Sequence, residues 1–212
     1  MKILTKTMQT VKDYDGAINA AREEFEAAKK KIFATYSNTL AAEKLGDARE
    51  ALTAFEIKET AAARDAIKTD FDEARNTVLE FVSKSVPDDF PTTLAVIQAK
   101  GAKISDFEAA NFLKKYESNY TAYSAVLNVL NSNGKAGNVY ILTPDNVNED
   151  IAAIEKRVLN WLQNRTSGGF DSEYYSRLFT KDTGNPIQAL AERIEAFLSG
   201  GFIRDNSRIA VN

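Results

Sequence analysis

The chain predicts a mainly α fold, in which a long antiparallel helical hairpin of coiled-coil-like pattern is joined to a smaller helical domain with a minor β element. Three observations predict it. Apolar residues recur at alternating spacings of three and four from Val11 to Phe81, clear helix caps punctuate the second half, and only two short segments read as strand.

The first run comprises Val11, Tyr14, Ile18, Ala21, Phe25, Ala28 and Ile32, and continues more weakly through Thr35 and Thr39. This is a heptad seam sustained for about four repeats. The second run is Ala48, Leu52 and Phe55, a diluted stretch of Ala61, Ala62 and Ala63, then Ile67, Phe71, Ala74, Val78 and Phe81. Its middle reads as a stutter, after which the heptad resumes. Between the runs, Leu45-Gly46-Asp47 is expected to form the turn. Gly46 can take the left-handed conformation that closes a helix, and Asp47-Ala48-Arg49-Glu50 has the capping-box pattern that opens another.

A turn at Gly46 makes the two arms similar, roughly 35 to 40 residues each or about 55 Å long. It pairs Tyr14 with Val78, Ile18 with Ala74, Ala21 with Phe71, Phe25 with Ile67, and Ala28 with Ala63 or Arg64. Large then faces small at most steps, as a close-packed seam requires. The competing arrangement is one continuous helix of about 75 residues dimerising in parallel, weakened at Gly46 by about 1 kcal/mol.

Val86-Pro87-Asp88-Asp89-Phe90-Pro91 interrupts helix twice, because proline disfavours helix before it and has no amide to donate. The expected domains are therefore residues 1–86, the hairpin, and residues 91–212, the smaller helical domain. A short helix is expected from Thr92 to Lys100. Ser105-Asp106-Phe107-Glu108 is a capping box opening a helix that carries Phe112, Tyr116, Tyr120, Tyr123, Val126, Leu127 and Leu130 as far as Asn131-Ser132-Asn133-Gly134. Thr143-Pro144 opens another through Val147, Ile151, Ile154, Val158, Trp161 and Leu162. A further short helix is expected from Ser172 to Phe179, and Asn185-Pro186-Ile187-Gln188 opens a last one ending at Gly200-Gly201. Val139-Tyr140-Ile141-Leu142 and Arg208-Ile209-Ala210-Val211 read as strands that pair with each other, with Phe202-Ile203, or with another copy of the chain.

Composition excludes more chemistry than it suggests. The 212 residues contain no cysteine and no histidine, which removes thiol nucleophiles, disulfides, imidazole bases and most zinc or iron sites. Carboxylates, Lys, Tyr, Ser and Thr remain. The net charge is −3, with 14 basic against 17 acidic residues through Phe90 and 13 against 13 beyond it. Neither half has the basic excess that phosphate neutralisation favours, so nucleic acid is a disfavoured partner. Nothing near Met1 reads as a signal peptide and no later segment as a membrane span. The expected location is the cytoplasm, or a virion assembled there.

Each candidate for chemistry has a plainer structural explanation. Asp145, Glu149 and Asp150 lie near a helix start, where acids complement the helix dipole, and their spacing does not fit an EF-hand. Gly134-Lys135-Ala136-Gly137-Asn138 lacks the ending of a phosphate loop and precedes a strand, so it reads as a connection. The neighbouring Asp88 and Asp89 point apart on an extended chain, which argues against a shared-proton dyad. Lys29-Lys30-Lys31 reads as a solvated face. No catalytic residue, cofactor or metal site is expected.

The best candidate for a binding surface is Phe170, Tyr174, Tyr175 and Phe179, with Arg165, Arg177 and Lys181 nearby, and the terminal strand residues Ile209 and Val211 offer an edge for strand addition. Helical spacing of the aromatics fits a packed core face first, a protein interface next and nucleic acid last. The long seam, together with the missing catalytic residue types, points to a non-enzymatic structural or assembly protein. Its expected partners are further copies of itself, other structural proteins, or both. In general character it looks like the small helical proteins of phage and prophage particle assembly, such as scaffold, connector or internal capsid components, a resemblance that transfers no residue role. A nucleic-acid-associated helical protein and an enzyme using carboxylate or Tyr/Lys chemistry are the alternatives.

Overall fold

A computed structural model of the chain describes residues 4–135, 141–166 and 185–200. Among these residues there are seven α-helices, one short 3-10 helix and no strand, so the protein is mainly α. The described residues gather into two compact units that interleave along the chain: 4–71 with 155–166 and 185–187, and 72–135 with 141–154 and 188–200.

The first unit is built on α1 (Thr5–Thr35) and the opening part of α2 (Asn38–Val82). Three hydrogen-bonded contacts set their direction. The Thr7 amide and hydroxyl both donate to Asp70 Oδ2 at 2.7 Å, the Tyr14 and Thr60 hydroxyls meet at 3.0 Å, and Arg22 Nε donates to Glu56 Oε1 at 2.7 Å. As residue numbers rise along α1 their partners fall along α2, which is an antiparallel pair.

The turn is at Tyr36-Ser37 and not at Gly46. Tyr36 leaves α1 in an extended conformation, its amide donating back to the Ile32 carbonyl, and the Ser37 carbonyl accepts from the Ala41 amide as α2 begins. No left-handed residue is needed for that geometry. Gly46 lies inside α2 without a positive φ, and the Asp47-to-Glu50 pattern opens nothing. The arms are accordingly unequal, at 31 and 45 residues, and the expected pairs are displaced: Tyr14 faces Thr60 in place of Val78. A continuous helix through both runs is likewise replaced by this break.

The core of the unit is concentrated toward its base. Val11, Tyr14 and Ile18 of α1 and Ala63, Ile67 and Phe71 of α2 are buried with Val158, Trp161 and Leu162 of α6 (Pro144–Thr166), and Trp161 packs edge-on to Tyr14 at 5.7 Å. Beyond Ile18, no α1 side chain is fully buried, and Ala21, Phe25, Ala28 and Ile32 are only partly covered. Near the base α6 supplies a third wall, and its last described turn meets α1 at Arg22, which donates to the Arg165 carbonyl at 2.9 Å.

The second unit joins the end of α2 to α3 (Phe90–Lys100), the 3-10 turn Gly101–Lys103, α4 (Asp106–Lys115), α5 (Tyr120–Ser132), the first part of α6, and α7 (Pro186–Leu198) from Gln188 onward. The helix break expected between Val86 and Pro91 separates α2 from α3, with Pro91 in the first turn of the latter. Ser105 and Glu108 form both bonds of the capping box. Thr143 accepts from the Asn146 amide at the start of α6 and Asn185 from the Ile187 amide at the start of α7.

The single helix expected from Ser105 to Leu130 is two. α4 ends at Lys115, and Asn119 caps α5 by accepting from the Ala122 amide while its Nδ2 donates to the Ser85 carbonyl at 2.9 Å. A tertiary bond thus holds the break open where apolar periodicity alone would run on. Gly134, at φ 69°, closes α5, with the Lys135 amide donating to the Leu130 carbonyl. Phe197 packs on Phe81 and Tyr120 at 5.6 and 5.5 Å, and Phe90 meets Tyr116 edge-on at 5.5 Å. Of the expected strands, Val139, Tyr140 and the 208–211 segment lie outside the described residues; Leu142 is buried just before α6.

Candidate interaction surface

From Ala17 toward the turn, α1 and α2 present alanines where a packed hairpin would place larger side chains. Ala17, Ala20, Ala21, Glu24, Phe25 and Ala28 from α1, with Ala48, Ala51, Leu52 and Phe55 from α2, line an open groove of about 540 Å³. Periodicity explains its shape. Ala17, Ala21, Glu24 and Ala28 follow four-three-four spacing on one face of α1, beside the Tyr14, Ile18, Phe25 and Ile32 stripe that faces α2. At the groove and the turn, Tyr36, Leu40 and Phe55 are exposed large apolar residues, and Phe33 and Ile57 are exposed on other faces of the same two helices. Such a concentration within one hairpin end is uncommon on a surface that meets only water.

A polar network closes the base of this region. The Arg165 side chain is only 2% exposed; its Nε donates to Asp15 Oδ1 at 2.9 Å and its Nη2 to Asn19 Oδ1. Arg22 bridges Glu56 and the Arg165 carbonyl, tying α1, α2 and α6 together. These charges are already matched by hydrogen bonds, so the network acts as a clamp that fixes register. Burial raises the Tyr14 phenol above its ordinary value, partly offset by its bond to Thr60, and keeps it protonated.

Elsewhere the resolved shifts also hold groups in their ordinary charge state. Tyr120 and Tyr123 are raised by burial, Lys44 and Lys115 by bonds to Asp47 and Asp89, and Glu108 is lowered to about 2, chiefly by its bond to Lys100 and then by Ser105. None of these shifts brings a carboxylate, lysine or tyrosine toward neutral pH, the usual mark of a poised acid or base.

The sequence-predicted surface residues Phe170, Tyr174, Tyr175, Phe179, Ile209 and Val211, with Arg177 and Lys181, lie outside the described residues. Arg165, grouped with them as a surface cation, is instead buried in the clamp. Asp150 pairs with Arg193 at 3.0 Å, Asp89 with Lys115, and Lys29 with Glu26 at 3.3 Å. Among the described residues no group of acidic side chains is placed to hold a metal ion, and no helix is long and apolar enough to cross a membrane. The heptad pattern does not foretell the groove, although the alanine density of residues 17–28 and 48–54 carries its signal. Comparison with protein-family models, curated proteins and solved structures finds no match to this chain.

Proposed function

We propose that the protein is a non-enzymatic structural or assembly component that works through protein–protein contacts and self-association. The observation that carries this reading is the alanine-lined groove between α1 and α2, with exposed aromatic and aliphatic side chains around it. Apolar surface of this kind gains free energy when another protein covers it, and rigid helices present it without an ordering cost. The absence of cysteine and histidine from the sequence supports a role outside catalysis. The small helical proteins of phage and prophage particle assembly are the functional class whose general character the chain shares.

Light scattering coupled to size exclusion, across a concentration series, tests the reading. Mass above one chain that grows with concentration is expected; a strict monomer that also captures no structural partner would count against it.

A further inference from the structure

We propose that the groove between α1 and α2 is covered by the same groove of a second copy, packed antiparallel about a two-fold axis that passes beside Ala27 and Ala28 of α1 and near Ala48 of α2. This rests on the self-association reading and names its surface.

Charge is the first argument. Glu24 lines the groove and Lys31 lies seven residues further along the same face of α1. Neither takes part in an ion pair among the described residues. In an antiparallel α1–α1 contact centred between Ala27 and Ala28, Glu24 of each copy faces Lys31 of the other, twice by symmetry. A parallel pair would instead set glutamate beside glutamate and lysine beside lysine, which is repulsive.

The apolar pattern obeys the same axis. The Thr7–Asp70, Tyr14–Thr60 and Arg22–Glu56 contacts set the level of α2 against α1, and together they place the stretch from Asp47 to Glu50, which includes Ala48, beside the axis. Phe55 then lies within about one helical turn of Leu40 of the second copy. These are 36% and 39% exposed in a single chain, and each would cover the other. The alanines nearest the axis let the helices approach within about 8 Å.

Size is consistent with a reversible dimer. Two helices of about 20 residues present a face of roughly 30 by 20 Å, or about 600 Å² per copy, and about 1,200 Å² in total stands at the lower end of specific interfaces. An affinity near the micromolar range is expected.

The absence of cysteine makes a direct test possible in the full chain. Ala28→Cys should form a disulfide between two copies under mild oxidation, whereas Phe33→Cys, exposed on the opposite side of α1, should not. Glu24→Lys should weaken the dimer at least tenfold in sedimentation equilibrium, a change of about 1.4 kcal/mol, and adding Lys31→Glu to the same chain should restore it. If the wild-type chain associates but these variants leave association unchanged and Ala28→Cys does not crosslink, this interface is overturned while self-association stands. A wild-type chain that is monomeric at about 100 μM, far above the expected dissociation constant, overturns both.

Discussion

Replacing Gly46 with alanine separates the observed fold from the one its local sequence suggests. Gly46 sits inside α2 at an exposed position, has no positive φ, and a Cβ built there meets nothing within 4 Å. Alanine therefore adds helix propensity without a clash, about 0.8–1.0 kcal/mol of stabilisation. Gly16 has the same open environment within α1 and provides an internal standard. The two positions share no partner, so the double variant should gain about 1.6–2 kcal/mol, a rise of roughly 4–8 °C in Tm for a chain of this size. Urea unfolding followed by far-ultraviolet circular dichroism measures this, and an unchanged slope shows that the folded state is intact. Were Gly46 the left-handed closing residue of a turn, Gly46→Ala would be destabilising by about 1 kcal/mol or more while Gly16→Ala still stabilised. That result would refute the turn at Tyr36-Ser37 and the register of the groove built on it.

Four further outcomes are expected. Arg165→Met should cost about 2–3 kcal/mol in urea unfolding, below the roughly 3–5 kcal/mol of a fully enclosed pair, because Asp15 keeps 17% exposure and regains water. Gly200→Ala should destabilise by more than about 1 kcal/mol, since Gly200 has φ 89° and a Cβ there would stand 2.2 Å from the Glu117 carbonyl oxygen; thermal unfolding reads it out. The Glu108 carboxyl, held at about 2 against an ordinary 4.5, contributes stability that is present above 4.5 and lost as pH falls through about 2; NMR titration should show its pKa rising in Lys100→Gln. Tyr116→Phe should be neutral or stabilising by up to about 1 kcal/mol in the same unfolding assay, because the buried hydroxyl finds no hydrogen-bond partner among the described residues.

The proposed function and the fold differ in how far they can be read from residues alone. Lack of cysteine and histidine, together with balanced charge, narrows the chemistry through composition, which no folding of the chain can alter. The groove is not visible in the same way. A heptad seam shows which residues face a neighbour, and leaves open which neighbour and at what level. With Tyr14 opposite Thr60 and not Val78, the alanines of α1 come level with Ala48 and Ala51, and small faces small. That is why a pattern expected to close tightly leaves an open groove.

The mainly α class and the helix starts at Ser105-Asp106, Thr143-Pro144 and Asn185-Pro186 are legible in the residues alone, because a cap is settled by atoms two or three residues apart. Tertiary structure alone decided the turn at Tyr36-Ser37, the break before Asn119 and the burial of Arg165. Asn119 is held by Ser85, 34 residues away, and Arg165 by Asp15, 150 residues away. Bonds between residues so distant cannot be inferred from the neighbours of either one. They form only when packing brings them together, and here they outweighed a glycine turn and an unbroken apolar period that local preference favoured.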